Sequence, residues 1–288
     1  MPPEIVERMA AEPERYACAG LLAENREITL LFCDLRNFTS AAQHMAPEQL
    51  REVVNLFFSR MTRIIRAHGG TLDKFIGDAI MAFWGAPLDQ PAHAAAAVAA
   101  AREMAAAMPA LNAELARRGL PALGLGIGLH TGVACVGDMG SDLRRSYTAM
   151  GDAVNLASRL EGLTKSYGVD LVCSAATHDA ARAAGDDAQW VELDLVRVKG
   201  RATPVRLFTC RSATEREPDT ARAELDAWRL ALAATRGQDW PLALNHLAAM
   251  PAGGWLHVAA DRLRRRVADL QSHPPGPDWD GVHDFDHK

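Results

Sequence analysis

The sequence Leu-Leu-Phe-Cys-Asp-Leu-Arg-Asn-Phe-Thr-Ser at residues 30–40 decides the fold prediction, together with Asp-Lys-Phe-Ile-Gly-Asp-Ala-Ile-Met-Ala-Phe at residues 73–83. The first stretch is an apolar β-type run that ends at Asp34 and opens into a turn. The second indicates two short strands joined by a tight turn, in which Gly77 supplies the backbone freedom. Aspartates at the ends of neighbouring strands suit a hard cation such as Mg²⁺, which takes oxygen ligands and leaves space for phosphates. A strand-end aspartate is equally an ordinary cap or turn residue, so the residues alone leave both interpretations open.

Length, charge and cysteine content restrict the class of protein. A chain of 288 residues allows one large domain or one domain with a smaller piece. The formal net charge of −5 provides no basic field for nucleic acid or acidic lipid. Five cysteines without a Cys-x-x-Cys pair predict reduced thiols and a cytoplasmic location. No run approaches the ~18 apolar residues of a membrane span, and the N-terminus lacks the regions of a signal peptide.

Hydrophobic periodicity predicts a mixed α/β fold with helices packed on a sheet. The predicted elements, in order, are a lead-in helix and linker in 1–27, a strand Ile28–Asp34, a helix Pro47–Ala67, a hairpin Thr71–Phe83, an alanine-rich helix His93–Leu115, a strand Leu123–Thr131 that turns at Gly132, a projecting loop Ser141–Ser146, a strand Tyr147–Met150, a helix Ala153–Ser166 capped by Asp152, and strands Trp190–Val198 and Val205–Thr209. The main domain is therefore predicted over residues 28–210.

A change of character after Cys210 predicts a linker over 211–220 and a small all-α extension over 221–288. Three amphipathic helices are expected, at 221–235, 240–250 and 255–270. The first two faintly resemble a tetratricopeptide (TPR) hairpin. Because one such unit cannot bury its own apolar face, we expect it to pack on the main domain or on a partner. The tail is rich in proline and glycine, and Trp279 suggests a docked segment.

Five blocks of sequence, in order along the chain, resemble the catalytic domain of the class III nucleotidyl cyclases. The first two motifs of that family, approximately Phe-x-Asp-Ile/Leu-x-x-Phe-Thr and Lys-Phe-x-Gly-Asp, match residues 32–39 and 74–78. The other blocks are Gly-Ile-Gly-Leu-His-Thr-Gly at 126–132, Tyr-Thr-Ala-Met-Gly-Asp-Ala-Val-Asn-Leu-Ala-Ser-Arg-Leu-Glu at 147–161 and Val-Lys-Gly-Arg-Ala-Thr-Pro-Val at 198–205. The resemblance implies a ferredoxin-like βαββαβ core.

The resemblance also implies the reaction and the residues that carry it. The ribose 3′-hydroxyl of a nucleoside triphosphate attacks its own α-phosphate and releases pyrophosphate, with two Mg²⁺ or Mn²⁺ ions. The implied metal ligands are Asp34, Asp78 and the backbone carbonyl of Leu35. The implied catalytic residues are Arg159, which stabilises charge at phosphorus, and Asn155, which orients the ribose. Backbone donors at Phe38 and Thr39 and the side chain of Lys199 are implied to hold the terminal phosphates.

The choice of base is predicted to depend on Lys74 and Thr148. An ammonium group can only donate, so Lys74 fits the unprotonated N1 of adenine and opposes the protonated N1 of guanine. Thr148 stands where adenylyl cyclases commonly have aspartate, and the pairing resembles the subgroup with lysine and threonine that includes bicarbonate-responsive members. A threonine hydroxyl can also donate, so the sequence predicts that GTP is excluded less firmly than aspartate would exclude it.

In the family the site is shared between two domains, and this chain carries both sets of residues, so a homodimer with two equivalent sites is predicted. Two alternatives are a guanylyl cyclase, which Lys74 opposes, and a catalytically silent nucleotide-sensing or scaffolding module. A silent domain is expected to have lost a metal aspartate or the arginine, and both are present. The Gly-Gly-Asp/Glu-Glu-Phe signature of diguanylate cyclases is absent from the sequence. The resemblance leaves open a bicarbonate effector, a regulatory partner and an upstream membrane-tethering region.

Overall fold

The computed structural model describes residues 23–211 and 219–285, which form nine strands and eight helices. In chain order these are β1 (Glu24–Arg36), α1 (Phe38–Ala42), α2 (Pro47–Ala67), β2 (Thr71–Ile76), β3 (Ala79–Trp84), α3 (His93–Arg117), β4 (Gly124–Ser141), β5 (Arg144–Met150), α4 (Asp152–Tyr167), β6 (Leu171–Ser174), α5 (Ala175–Ala183), β7 (Gln189–Val198), β8 (Val205–Arg211), α6 (Asp219–Arg236), α7 (Trp240–Ala248), α8 (His257–Ser272) and β9 (His283–Phe285). The predicted lead-in helix lies almost entirely outside the described residues.

All nine strands belong to one sheet, ordered β2-β3-β1-β4-β6-β8-β7-β9, with β5 paired to β4 beside this path. The first half has the order β4-β1-β3-β2, and β1 is antiparallel to both of its neighbours. Together with α2 and α3 as the two crossovers, this is the βαββαβ arrangement of a ferredoxin-like fold. The predicted fold class is confirmed.

The two faces of β1 bury different cores, because successive side chains of a strand point to opposite faces. Leu31, Cys33 and Leu35 pack with α2 and α3. Ile28 and Leu30 pack with β3, β5 and α4 on the other face. The sheet therefore lies between a two-helix layer and α4, and the predicted metal ligand Asp34 lies two residues before the end of its central strand.

Helix α4 lies directly on β4 because two positions of that strand are glycine. A Cβ atom at Gly128 would lie 2.2 Å from the backbone nitrogen of Glu161, and one at Gly126 would lie 2.6 Å from the hydroxyl of Thr164. Both separations are too short for a side chain. The Gly-Ile-Gly sequence at 126–128 thus fixes how closely α4, which carries Asn155 and Arg159, approaches the sheet.

Three predictions about β1, β4 and β5 were wrong in detail. Strand β1 begins at Glu24, not at 28, because its polar first residues pair with residues 133–136 of β4. The turn predicted at Gly132 does not form, because this residue pairs with Ile28 and β4 continues to Ser141. The predicted loop at 141–146 is the tight end of the β4–β5 hairpin, with Leu143 98% exposed.

The late strands are found where they were predicted, as β7 and β8. The sequence analysis missed the short strand β6 and helix α5, which lie between α4 and β7. Strand β6 has only four residues and is parallel to β4, so its apolar run is too short to give a periodic signal. Its pairing with β4 and β8 joins the ferredoxin-like half of the sheet to the late strands.

The C-terminal extension contains the three predicted helices, but it is not entirely α-helical. Strand β9 pairs in parallel with residues 196–198 of β7, and the proline-rich tail gave no sign of this short strand. The predicted linker is also shorter, because Arg211 ends β8 and Asp219 begins α6, while 212–218 lie outside the described residues.

The extension packs on the main domain through apolar contacts and one buried ion pair. Trp228 and Leu263 belong to the same buried cluster as Leu160 of α4 and Leu193 of β7. Arg266 of α8 makes two hydrogen bonds to the buried carboxylate of Asp194, at 2.7 and 3.1 Å. The extension therefore covers one side of α4, as expected for a helical unit that cannot bury its own face.

Among the helices of the described residues, only α3 is long and apolar enough by composition to cross a membrane. Its buried residues, among them Val98, Met104 and Leu111, pack in the core with α2 and the sheet. In this structure α3 is therefore a core helix. The four cysteines of the described residues are free thiols, and Cys33, Cys173 and Cys210 are buried, whereas Cys18 lies outside the described residues.

Candidate active site

The two aspartates predicted as metal ligands lie together near the C-terminal end of β1. Asp34 is near the end of β1, and Asp78 lies in the turn between β2 and β3, where Gly77 has a φ of 64°. The register pairs Cys33 with Ile80, so each aspartate is one or two residues from a paired position. The predicted role of Gly77 in this turn is therefore consistent with its backbone conformation.

The electrostatics of this pair fit a divalent cation. Burial and the nearby carboxylate of Asp78 together raise the pKa of Asp34 to about 6, and the N–H of Leu35, 2.9 Å from Asp34 Oδ1, opposes the shift. Two carboxylates in contact disfavour each other's ionised form, and a cation between them would reverse that effect. No group of three histidine, cysteine or acidic side chains in the described part of the chain is arranged to hold a metal. Mg²⁺ is commonly held by one or two carboxylates together with substrate phosphates and water.

Glu161 and Arg36 also lie near this pair, and neither was predicted as a site residue. Burial and the charge of Asp34 raise the pKa of Glu161 to about 7, while Arg36 opposes the shift. Arg36 in turn forms an ion pair with Asp170 at 3.5 Å. The glycine at position 126 was the one sequence signal for Glu161. A Cβ atom at Gly126 would lie only 2.8 Å from the Glu161 carboxylate, so a side chain there would displace it.

Lys74 and Thr148, the residues predicted to select the base, are in contact although they are far apart in the chain. Lys74 Nζ donates to Thr148 Oγ1 at 3.0 Å, joining β2 to β5. Both side chains also contact the carboxylate of Asp73, which is fully buried. Sequence reasoning missed a role for Asp73, because the contacts join residues 75 positions apart.

Arg159 and the turn after β7 form a third cluster. Gly200 has a φ of 76°, and its would-be Cβ lies 3.5 Å from a terminal nitrogen of Arg159. Lys199 is exposed in the same turn. One guanidinium nitrogen of Arg159 is buried without a hydrogen-bond partner in the described residues. A cleft of about 840 Å³ opens beside this cluster. It is lined by Arg159 and Lys199 and by Arg262 and His283 of the extension.

Helix α4 begins at Asp152, so the prediction that Asp152 caps it was wrong. The N-cap is Gly151, and no side chain caps it. The carboxylate of Asp152 instead forms an ion pair with Arg201 at 3.2 Å, which ties the start of α4 to the turn carrying Lys199. Asn155 is exposed one turn before Arg159 on the same helix, consistent with the predicted shared face.

The remaining predicted residues surround the end of β1. Phe38 begins the five-residue helix α1, and its ring packs against the core. Thr39 follows it in that helix. Leu35 has a buried side chain and pairs with Leu125. The proposed contacts of these three backbones with phosphate or metal stay predictions.

Comparison with known proteins gives the family. The family described as the adenylate and guanylate cyclase catalytic domain matches residues 22–210. Adenylate cyclase 1 of Rhizobium meliloti is 34% identical over 189 residues, which are 66% of this chain and 28% of that protein. This chain therefore spans under a third of the length of that relative.

Two solved structures have the same fold. The adenylyl cyclase CyaB from P. aeruginosa is 30% identical with a TM-score of 0.62, covering 69% of this chain and all of that one. The guanylyl cyclase Cya2 is 36% identical with a TM-score of 0.61, covering 67% of this chain and 96% of that one. Because the match to the family covers residues 22–210, more than half of the chain, the chain belongs to the adenylate and guanylate cyclase catalytic domain family.

Proposed function

We propose that this chain is an adenylyl cyclase that converts ATP to 3′,5′-cyclic AMP and pyrophosphate for signal transduction. The observation that carries the proposal is the contact between Lys74 Nζ and Thr148 Oγ1 at 3.0 Å. This contact places an obligate donor of β2 beside a hydroxyl of β5. Adenine offers an acceptor at N1 and a donor at its 6-amino group, and this pair complements both.

The proposed mechanism begins with the carboxylates. Asp34 and Asp78, with the carbonyl of Leu35, would hold two Mg²⁺ or Mn²⁺ ions, and their contact supports this role. When bound, such ions supply acidification of the ribose 3′-hydroxyl and neutralisation of phosphate charge.

The other residues bind and orient the nucleotide. Arg159, whose guanidinium has an unpartnered buried nitrogen among the described residues, stabilises the negative charge that develops at the α-phosphate. Asn155 orients the ribose. Lys199, in the turn that Asp152 and Arg201 tie to α4, holds the terminal phosphates together with the backbone of Phe38 and Thr39.

The proposed active unit is a homodimer located in the cytoplasm. Asp34 and Asp78 of one protomer face Lys74, Thr148, Asn155, Arg159 and Lys199 of its partner. Exposed apolar side chains on β2, β4 and β5 support an interface between protomers at these strands, because apolar groups gain by leaving water; they are Phe75, Ile76, Val133 and Met150. Bicarbonate and an upstream regulatory or tethering region stay predictions from the family.

A guanylyl cyclase is the second candidate, because the guanylyl cyclase Cya2 is 36% identical to this chain. Lys74 opposes this alternative, since a lysine facing the protonated N1 of guanine meets donor with donor.

Cyclic nucleotide production from ATP and from GTP, with Mg²⁺ or Mn²⁺, tests the proposal. We expect cyclic AMP to be the main product and Asp34→Ala to abolish it. Preferential formation of cyclic GMP from GTP would establish the second candidate. No cyclic nucleotide from either substrate, with a folded dimer, would support the silent module instead.

A further inference from the structure

Asp73 is buried at the base-selecting pair and is surrounded by donors. Its Oδ2 atom accepts from the hydroxyl of Thr148 at 2.6 Å and from the N–H of Ala149 at 3.3 Å. Its Oδ1 atom lies 3.3 Å from Lys74 Nζ, an ion pair without the geometry of a hydrogen bond. The carboxylate thus joins β2 to β5 beside the position proposed for the base.

Asp73 and Lys74 together fix the orientation of the Thr148 hydroxyl proton. A hydroxyl has one proton and can accept through its lone pairs, and the proton rotates to suit its surroundings. An ionised carboxylate can only accept, so the proton of Thr148 is directed to Asp73. An ammonium group can only donate, so Thr148 Oγ1 accepts from Lys74. Neither neighbour leaves the hydroxyl proton free for a ligand.

We propose that Asp73 is a positioning residue that makes Thr148 an acceptor, and thereby makes the pair select adenine over guanine. This inference rests on the proposed function. The remaining lone pair of Thr148 suits the 6-amino group of adenine. In the same pose, guanine sets its O6 acceptor against this acceptor and its N1–H donor against Lys74. Without Asp73, the Thr148 hydroxyl could rotate and donate its proton to guanine O6. The buried carboxylate removes that freedom because it holds the proton.

The test compares the ratio of kcat/KM for ATP to kcat/KM for GTP in three variants. Asp73→Ala should lower the ratio at least about tenfold, equivalent to about 1.4 kcal/mol, because Thr148 can then donate to guanine O6. Asp73→Asn should retain most of the preference, because its amide oxygen can still accept the Thr148 proton. Asp138→Ala should leave the ratio unchanged, since Asp138 pairs across from Tyr147, next to Thr148, but contacts Arg145 instead.

A double-mutant cycle decides whether Asp73 acts through Thr148. In a Thr148→Val background, where no hydroxyl remains to orient, Asp73→Ala should have little further effect on the ratio. An equal fall of kcat/KM for both nucleotides, with the ratio unchanged, would overturn the proposal and indicate a merely structural residue. A tenfold fall that persists in the Thr148→Val background would also overturn it, because Asp73 would then act on Lys74 alone. Thermal unfolding of each variant checks that the fold is retained.

Equilibrium binding separates this inference from the proposed function. The Kd values of ATP and GTP are measured by calorimetry for the wild type and for Asp73→Ala. A wild type that binds ATP in preference to GTP without turnover, and loses this preference in Asp73→Ala, would contradict the proposed function and support the role of Asp73. Equal binding of the two nucleotides by the wild type would overturn the role of Asp73, whatever the turnover.

Discussion

Two sites that share the β2–β3 hairpin place aspartates in opposite electrostatic surroundings. At the end of β1, Asp34 and Asp78 face each other, and their repulsion adds to burial in raising the pKa of Asp34. At the edge of β2, Asp73 is fully buried but faces a hydroxyl, an N–H and an ammonium group. No positive charge among the described residues contributes to the pKa shift of Asp34, whereas Asp73 has Lys74 as its ion-pair partner and two hydrogen-bond donors at Oδ2.

This difference teaches what each site is suited to do. Carboxylates that disfavour each other bind a cation strongly, because the ion removes a repulsion as well as adding an attraction. A carboxylate that already has donors and a cation beside it cannot serve as a metal ligand without losing these partners, but it can hold neighbouring groups in one orientation. We therefore propose that aspartates bind a cation at the first site and orient a neighbouring side chain at the second.

The largest expected effect is the loss of turnover when the repelling pair is broken. Asp34→Ala or Asp78→Ala should each remove nearly all cyclase activity, because one carboxylate cannot replace the two-ligand site. Activity is measured as cyclic AMP formed with saturating Mg²⁺. A variant that kept more than about a tenth of wild-type turnover, about 1.4 kcal/mol of barrier, would show that the carboxylate is not a required ligand.

The next effect concerns the base-selecting pair. Lys74→Glu combined with Thr148→Cys should lower the preference for ATP over GTP, because the donor facing N1 becomes an acceptor. The ratio of kcat/KM for the two substrates measures it. An unchanged ratio in a folded double variant would remove Lys74 and Thr148 from base recognition.

The comparison also predicts stability changes of opposite sign in metal-free protein. Asp34→Ala should leave the free energy of unfolding unchanged or raise it by on the order of 1 kcal/mol at neutral pH, after allowance for solvent screening, because a disfavoured charge is removed. Asp73→Ala should lower it by about 1–3 kcal/mol, because a buried hydroxyl and N–H lose their acceptor. Denaturant unfolding in the presence of a chelator measures both. The same sign for both variants would mean that the two sites are not electrostatically different.

The smallest effect is a pH dependence at the C-terminal strand. Burial and the neighbouring Arg266 and Arg262 lower the pKa of His283 to about 4, against the opposing charges of Asp194 and Asp284. The unfolded chain therefore binds a proton more readily, so stability falls as the pH drops from about 6.5 to 4, by on the order of 1 kcal/mol after allowance for its partial exposure.

His283→Gln should reduce this fall, and His273→Gln, at an exposed position, is the matched control. Urea unfolding at pH 7 and pH 4.5 measures the difference for both variants. A fall in stability that is as large in His283→Gln as in the wild type would remove His283 as its source.

Much of the fold could be predicted from sequence because its signals are local. The apolar run before Asp34, the glycine turn before Asp78 and the helical spacing of α2 each identify an element within a few residues. The ends of β1 and β4 could not be predicted in this way. Polar residues 24–27 form a strand only because residues 133–136 extend beside them, and this pairing joins segments more than 100 positions apart.

The site shows the same division. Asp34, Asp78 and Lys74 lie in short motifs with characteristic spacing, and the resemblance to a family assigned their roles. Asp73 is adjacent to Lys74 in the sequence, yet its contacts with Thr148 and Ala149 depend on how β2 approaches β5. Glu161 likewise lies near Asp34 and Asp78 only because Gly126 leaves space for its side chain. Sequence patterns thus indicate which residues can react, whereas the packing of strands and helices determines which residues orient them.

Complementation tests the central claim, a site shared between two protomers, most directly. Asp34→Ala and Arg159→Ala should each be nearly inactive alone, because every site of each homodimer lacks a needed group. In a mixed dimer one site carries both defects and the other carries neither. With random exchange of subunits, activity should approach about a quarter of the wild type at equal total protein, the ceiling set by two-fold pairing. If mixing restores no activity although subunit exchange is demonstrated independently, Asp34 and Arg159 must act within one chain, and the shared site is wrong.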